Sequence, residues 1–317
     1  MRLLMQEHLL LMTWLLWLQA WHDAGSQRVC PRHESRCEVN ADATIIYSMN
    51  CGGYGSVALL PPACTETRVI SHLAISHNTT VDRLQHLILY GLQMRHLELK
   101  GLGIRSVVVT AFYAISSHLE VLSLQDNQLE SLPVGVFRTL RHLTRLQLYN
   151  NRLTQLSAGM FDGLTKLVYL TLSANRISAV DQGTWYKMPA LVTLSLEDNL
   201  LGNGQLVFPY SSLERLEELR LDRNRLNQIN YGIFSGVPNL RRLYLRSNGI
   251  QSLPHSIFRA TQHLEVVDMS ANNISQLTKD SFSGKCYTDS LKCTLHSLVQ
   301  NLSYTIFVIT ASDIDRC

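Results

Sequence analysis

The sequence predicts an α/β solenoid in which about nine stacked coils share one parallel sheet, closed at each end by a cysteine-rich cap. A leucine pattern recurs at a near-constant period through the middle of the 317 residues. The seven cysteines avoid that middle and gather on either side of it. The composition, 46% hydrophobic and 17% charged with only eight prolines, is that of a globular chain and excludes a disordered tail or a collagen-like fibre. A net charge of +3 with no long single-sign run leaves out the basic stripe that phosphate neutralisation needs, so nucleic acid is not the expected partner.

Residues 1–25 read as a secretory signal peptide. Arg2 precedes an apolar run from Leu9 to Leu18, and small residues follow at Ala20, Ala24 and Gly25. The run is too short to cross the roughly 30 Å of hydrocarbon in a bilayer. No other stretch is apolar enough to span, so the protein is expected to be secreted and extracellular. Disulfides persist in that compartment. Cys30, Cys37, Cys51 and Cys64 place an N-terminal cap at residues 26–65, and the pairing among them stays open. Cys286, Cys293 and Cys317 place a C-terminal cap at residues 286–317, where an odd count leaves one thiol for an intermolecular bridge and a disulfide-linked dimer. Within that cap DSLKCTLHSLVQN reads as a short amphipathic helix from Asp289, and YTIFVIT as a buried strand.

Between the caps, residues 66–285 repeat. LEVLSLQDNQL from Leu119, LTRLQLYNNRL from Leu143, LVYLTLSANRI from Leu167 and LVTLSLEDNLL from Leu191 align, as do LEELRLDRNRL from Leu216, LRRLYLRSNGI from Leu240 and LEVVDMSANNI from Leu264. Their asparagines fall at 127, 151, 175, 199, 224, 248 and 272, a period of 24 with a single 25. Two degenerate copies, ISHLAISHNTT from Ile70 and MRHLELKGLGI from Met94, precede them. Ten residues beyond most of the asparagines stands an aromatic: Phe137, Phe161, Trp185, Phe234, Phe258 or Phe282.

The motif L-x-x-L-x-L-x-x-N-x-L resembles the leucine-rich repeat family, in its 24-residue extracellular class. The resemblance implies a horseshoe with a concave parallel sheet. Physics gives the same picture. In each L-x-L core the leucines point to one side of a strand and the intervening residues to the other. One coil cannot cover its own leucines, so the array is stable only as a stack. Each asparagine both donates and accepts, so a column of them can satisfy the backbone where the chain leaves the strands. Leu102 occupies that position in the second copy and should interrupt the column. The inserted residue before Asn224 is expected in LGNGQLVFPYSSL, where Asn203, Gly204 and Pro209 suggest a remodelled loop.

No motif for a nucleophile, metal or phosphate loop is present, and the expectation is a non-enzymatic protein without cofactor or metal. The informative residues are those between the ladder leucines. The column before the second leucine reads His72, His96, Val121, Arg145, Tyr169, Thr193, Glu218, Arg242 and Val266. The next reads Ala74, Glu98, Ser123, Gln147, Thr171, Ser195, Arg220, Tyr244 and Asp268. A third carries Tyr149, Glu197, Asp222 and Arg246. Tyrosine and arginine dominate interface hot spots. Arg145, Tyr149 and Tyr169, and Arg220, Arg242, Tyr244 and Arg246, are therefore the candidate ligand-binding residues. The competing reading is a merely solvated sheet, with Glu197, Glu218 and Asp222 pairing those arginines across strands. His72 with His96, and His118 with His142, form adjacent pairs better read as surface residues than as ligands.

Asn78, Asn273 and Asn301 head glycosylation sequons; Asn78 also aligns with the ladder, and a buried ladder amide cannot carry a glycan. The sequence thus points to a secreted recognition protein binding an extracellular protein or a microbial surface ligand. Within the family it resembles Toll-type receptor ectodomains, Slit-like proteins and the mosquito leucine-rich immune proteins. The last resemblance implies innate immunity, disulfide-linked pairing and binding of complement-like thioester proteins, although no coiled-coil heptads follow residue 285. The alternatives are an adhesion or receptor ectodomain anchored outside this chain, or a regulator of an extracellular enzyme.

Overall fold

In a computed structural model of the protein, residues 93–275 are described apart from 205, 207 and 211. Residues 82–84 are also described, as is the backbone of the strands at 35–39, 44–49, 69–77 and 308–309. The expected signal segment, the helix from Asp289 and every cysteine but Cys37, whose backbone lies in a strand, fall outside those residues.

In sequence order the strands are β1 (Ser35–Val39), β2 (Thr44–Met49), β3 (Val69–His77), β4 (Arg83–Leu84), β5 (Gln93–Glu98), β6 (Ser106–Val107), β7 (Val121–Ser123) and β8 (Arg145–Gln147). They continue as β9 (Gln155–Leu156), β10 (Tyr169–Thr171), β11 (Ala179–Val180), β12 (Thr193–Ser195), β13 (Glu218–Arg220), β14 (Arg242–Tyr244), β15 (Val266–Asp268) and β16 (Val308–Ile309). A 12-stranded sheet runs β1-β2-β3-β5-β7-β8-β10-β12-β13-β14-β15-β16. From β2 to β15 its neighbours are parallel, and one coil separates each strand from the next. The register pairs Leu122 with Leu146, Leu146 with Leu170 and Leu170 with Leu194, each leucine wholly buried. The predicted solenoid and its leucine seam are therefore observed, as a parallel-sheet β-solenoid: among the described residues its coils carry short 3-10 turns at Tyr113–Ile115 and Gln182–Trp185 and no α-helix. The sheet's ends differ from its body: β1 pairs antiparallel with β2, and β16 antiparallel with β15.

Leaving each strand, the backbone turns through one residue in the left-handed region: Asp126, Asn150, Ala174, Asp198, Arg223, Ser247 and Ala271, with φ between 50° and 59°. For an L-residue this conformation costs roughly 1–2 kcal/mol. The next residue offsets it. Asn151 Nδ2 donates to Leu124 O of the preceding coil at 2.9 Å and to Leu148 O of its own at 3.0 Å, while its Oδ1 accepts from Leu129 N at 3.1 Å. The same bonding continues from Asn127 to Asn272. Each group so paired would otherwise be a buried orphan costing about 1–3 kcal/mol. At the start of the column Asn127 Oδ1 accepts from both Leu102 N and Ile104 N, and the wholly buried Leu102 side chain offers nothing to carry the bonding further.

Behind the sheet the aromatics form a second column. Phe112, Phe137 and Phe161 stack at 6.0 and 6.4 Å between centroids, Trp185 meets Phe208 at 5.8 Å, and Phe234 meets Phe258 at 6.0 Å. Phe112 and Phe208 belong to this column although the spacing rule did not select them. Phe208 comes from the lengthened coil, where Gly204 turns at φ +72° and Asn203 Oδ1 accepts from Asn227 N and Gln228 N, each at 2.9 Å.

Candidate recognition surface

Strand alternation turns the residue between the two leucines of each L-x-L core to the other face of the sheet, so the register decides which of them stand opposite one another. Arg145 and Tyr169 are direct partners on β8 and β10, and the Arg145 guanidinium lies 4.7 Å from the ring centroid. Tyr169 remains 40% exposed. Tyr149, two columns further on, is half-buried, and among the described residues it makes no ring contact with Arg145. The stack borders a hollow of about 510 Å³ bounded by β5, β7, β8 and β10, with His96 and Glu98 at one end and Arg145, Gln147 and Tyr169 at the other. Ser123 lines it, buried, and among the described residues its Oγ has no hydrogen-bond partner; nor has the buried Thr171 Oγ1 beside Gln147.

The second centre is organised around a carboxylate. Glu218, its side chain 12% exposed, accepts from Arg220 Nε at 2.6 Å and from Arg242 Nε at 2.9 Å. Arg220 also lies over the Tyr244 ring, 5.0 Å from its centroid. Arg246 is exposed, and its backbone N–H donates to Asp222 Oδ1 at 2.8 Å. Burial pushes the Glu218 carboxyl up, but the hydrogen bonds from Arg242 and Arg220 outweigh it and hold the group below the ordinary glutamate range. Glu197 and Asp222 go the other way: burial raises both, and the nearby arginines only partly counter it. Of the three acids that the solvated-sheet reading named, Glu218 alone makes side-chain ion pairs with these arginines.

The structure therefore brings together Arg145 with Tyr169, and Arg220 with Tyr244 and Arg242, while Tyr149 and Arg246 stand apart. Sequence reasoning missed the hollow and the unpartnered Ser123 hydroxyl in its wall. Ser123 and Gln147 stood in its central column, but nothing in their identity signals that the side chains around them leave space. The backbones of His72 and His96 are in register, and His96 is exposed. His118 meets Ser117 Oγ at 2.8 Å and His142 meets Lys166 Nζ at 3.4 Å, so this pair is occupied by other neighbours. Asn273 is exposed, as a glycan carrier must be, whereas Asn78 and Asn301 lie outside the described residues. Among the described residues no helix is long and apolar enough to cross a membrane.

The family model described as "Leucine rich repeat" matches residues 117–177, 210–250 and 238–285. No curated protein matches the sequence. Among solved structures, a protein of the Drosophila Toll–Spatzle complex, a hub in development and innate immunity, superimposes with a TM-score of 0.58 at 21% identity. That match covers 72% of this chain and 35% of the other, so this chain spans about a third of that relative's length. A complex of latrophilin 3, Unc5D and the leucine-rich repeats of FLRT2 gives 0.60 at 24% identity, covering 78% of this chain and 79% of its match. The leucine-rich repeat domain of APL1B gives 0.50 at 27% identity, over 61% of this chain and 52% of that one.

Proposed function

The chain belongs to the leucine-rich repeat family, and on that footing we propose that it is a secreted, non-catalytic recognition protein. Its sheet face grips an extracellular protein or a microbial surface ligand in innate immunity. One observation carries the reading: on that face two tyrosines are each held by an arginine lying over the ring, at 4.7 and 5.0 Å. Such pairs present large, pre-ordered contact area, and ordering it before binding lowers the entropy lost on docking. Residues 1–25 direct secretion, residues 26–65 and 286–317 cap the stack, and Asn273 and Asn301 carry glycans. The immune role takes support from the resemblance to mosquito leucine-rich immune proteins.

Affinity capture from the host's extracellular fluid tests the surface. Tyr169→Ala or Tyr244→Ala should weaken capture of the partner by about 1–2 kcal/mol, roughly 5- to 30-fold, without unfolding the array. Unchanged capture by both variants would move the partner off the sheet face. We further propose that the odd cysteine among Cys286, Cys293 and Cys317 links two copies of the protein. Non-reducing electrophoresis should then show a dimer that reducing agent collapses, and a monomer under both conditions refutes it.

A further inference from the structure

The two arginine–tyrosine stacks differ in charge. At the C-terminal one, Glu218 already binds both Arg220 and Arg242. At the N-terminal one, Arg145 is exposed and makes no ion pair among the described residues, although the Tyr169 ring holds its guanidinium in place. Two acids also line the hollow: Glu98 at its far end, and Glu120, which lies 3.8 Å from the exposed Arg95. The hollow of about 510 Å³ opens directly against this unpaired cation. Its lining includes the Gln147 amide and the buried Ser123, whose Oγ has no hydrogen-bond partner among the described residues.

We propose that the Arg145 end of this hollow is a subsite for a carboxylate of the protein partner, supplied by an aspartate, a glutamate or the partner's C-terminus. The proposal deepens the sheet-face reading and rests on it. A guanidinium presents its donors as a planar fork that matches the two oxygens of a carboxylate, and stacking on a ring leaves its edge free to do so. Tyr169 pre-orders that fork, and Gln147 supplies a neighbouring amide donor. Glu98, at the far end of the hollow, repels a second anion and so fixes the direction in which an acidic segment lies. At the other stack Glu218 holds the place that a ligand carboxylate would take.

Titrating the full-length protein with a tetra-aspartate peptide, with the arginine side-chain Nε–Hε signals followed by NMR, tests this. One such signal should shift saturably. The shift should vanish in Arg145→Gln, persist in Arg242→Gln, and weaken about tenfold in Arg145→Lys, which keeps the charge but loses the fork. A tetra-asparagine peptide should leave the signal unmoved. A shift that survives in Arg145→Gln, an equal response to tetra-asparagine, no shift at all, or tighter binding of oligoglucuronate than of the peptide would each overturn the assignment. None of these would decide the sheet-face reading, which depends on partner capture by the tyrosine variants. Thermal unfolding of Arg145→Gln at the wild-type temperature confirms that the exposed substitution left the fold intact.

Discussion

A carboxylate set between two guanidiniums favours its ionised form, and Glu218 is such a group, bound by both Arg220 and Arg242. Its folded value lies below the ordinary one near 4.5, because hydrogen bonds from Arg242 and Arg220 overcome burial. Its contribution to stability is therefore full above that ordinary value and is lost as pH falls through it towards the folded value. Glu197 and Asp222, raised by burial, have the opposite sign: rising pH forces a charge on each that the fold disfavours. Glu218→Gln should then cost about 1 kcal/mol at neutral pH, a modest figure because the side chains of Arg220 and Arg242 are 43% and 37% exposed and water screens the pairs. Urea unfolding across pH should show the gap between wild type and variant constant above about pH 5 and closing below it. A gap that widens on acidification would contradict the assigned sign.

Among the elements, the ladder strands were the most legible, since a period of two inside a period of 24 leaves one register that buries every leucine. The pairing of Arg145 with Tyr169 followed from that register. The absence of an acid for Arg145 did not, because side-chain rotamers settle which neighbour each charge takes: Glu120 turns to Arg95. The coil backs were harder to read for a related reason, being joined by loops whose lengths vary. Phe208 stands nine residues after Asn199 instead of ten, so a fixed offset passes over it. Its place depends on a close backbone approach. A Cβ on Gly236 would sit 2.2 Å from Pro209 O and 2.4 Å from Phe208 O, whereas one on Gly202 would meet nothing within 4 Å. Gly236→Ala should cost more than about 2 kcal/mol by forcing the loop away, and Gly202→Ala should stay within about 0.5 kcal/mol. Trp185, the sole tryptophan outside residues 1–25, packs against Phe208 and reports the difference. Its emission should shift red in the first variant and not in the second.

Across the whole molecule, a stack of coils has no closed core and must end somewhere. At one end β1 turns back antiparallel on β2, and at the other β16 lies antiparallel on β15, with Val267 opposite Ile309 and Asp268 opposite Val308. A parallel strand left open offers a row of unpaired N–H and C=O groups, and the next strand it finds can belong to another molecule. Here that strand is short and apolar, since β15 reads Val-Val-Asp with Val267 buried. Deleting residues 300–317 removes β16 and leaves β15 as an edge. The truncated protein should associate with itself as concentration rises, seen as a growing weight-average mass in sedimentation equilibrium under reducing conditions, where disulfide exchange plays no part. Its middle coils, each held by its own neighbours, should keep their amide protection. A monomeric truncated protein would show that β15 needs no cover, and loss of protection as far as β8 would show that the coils do not bear their own stability.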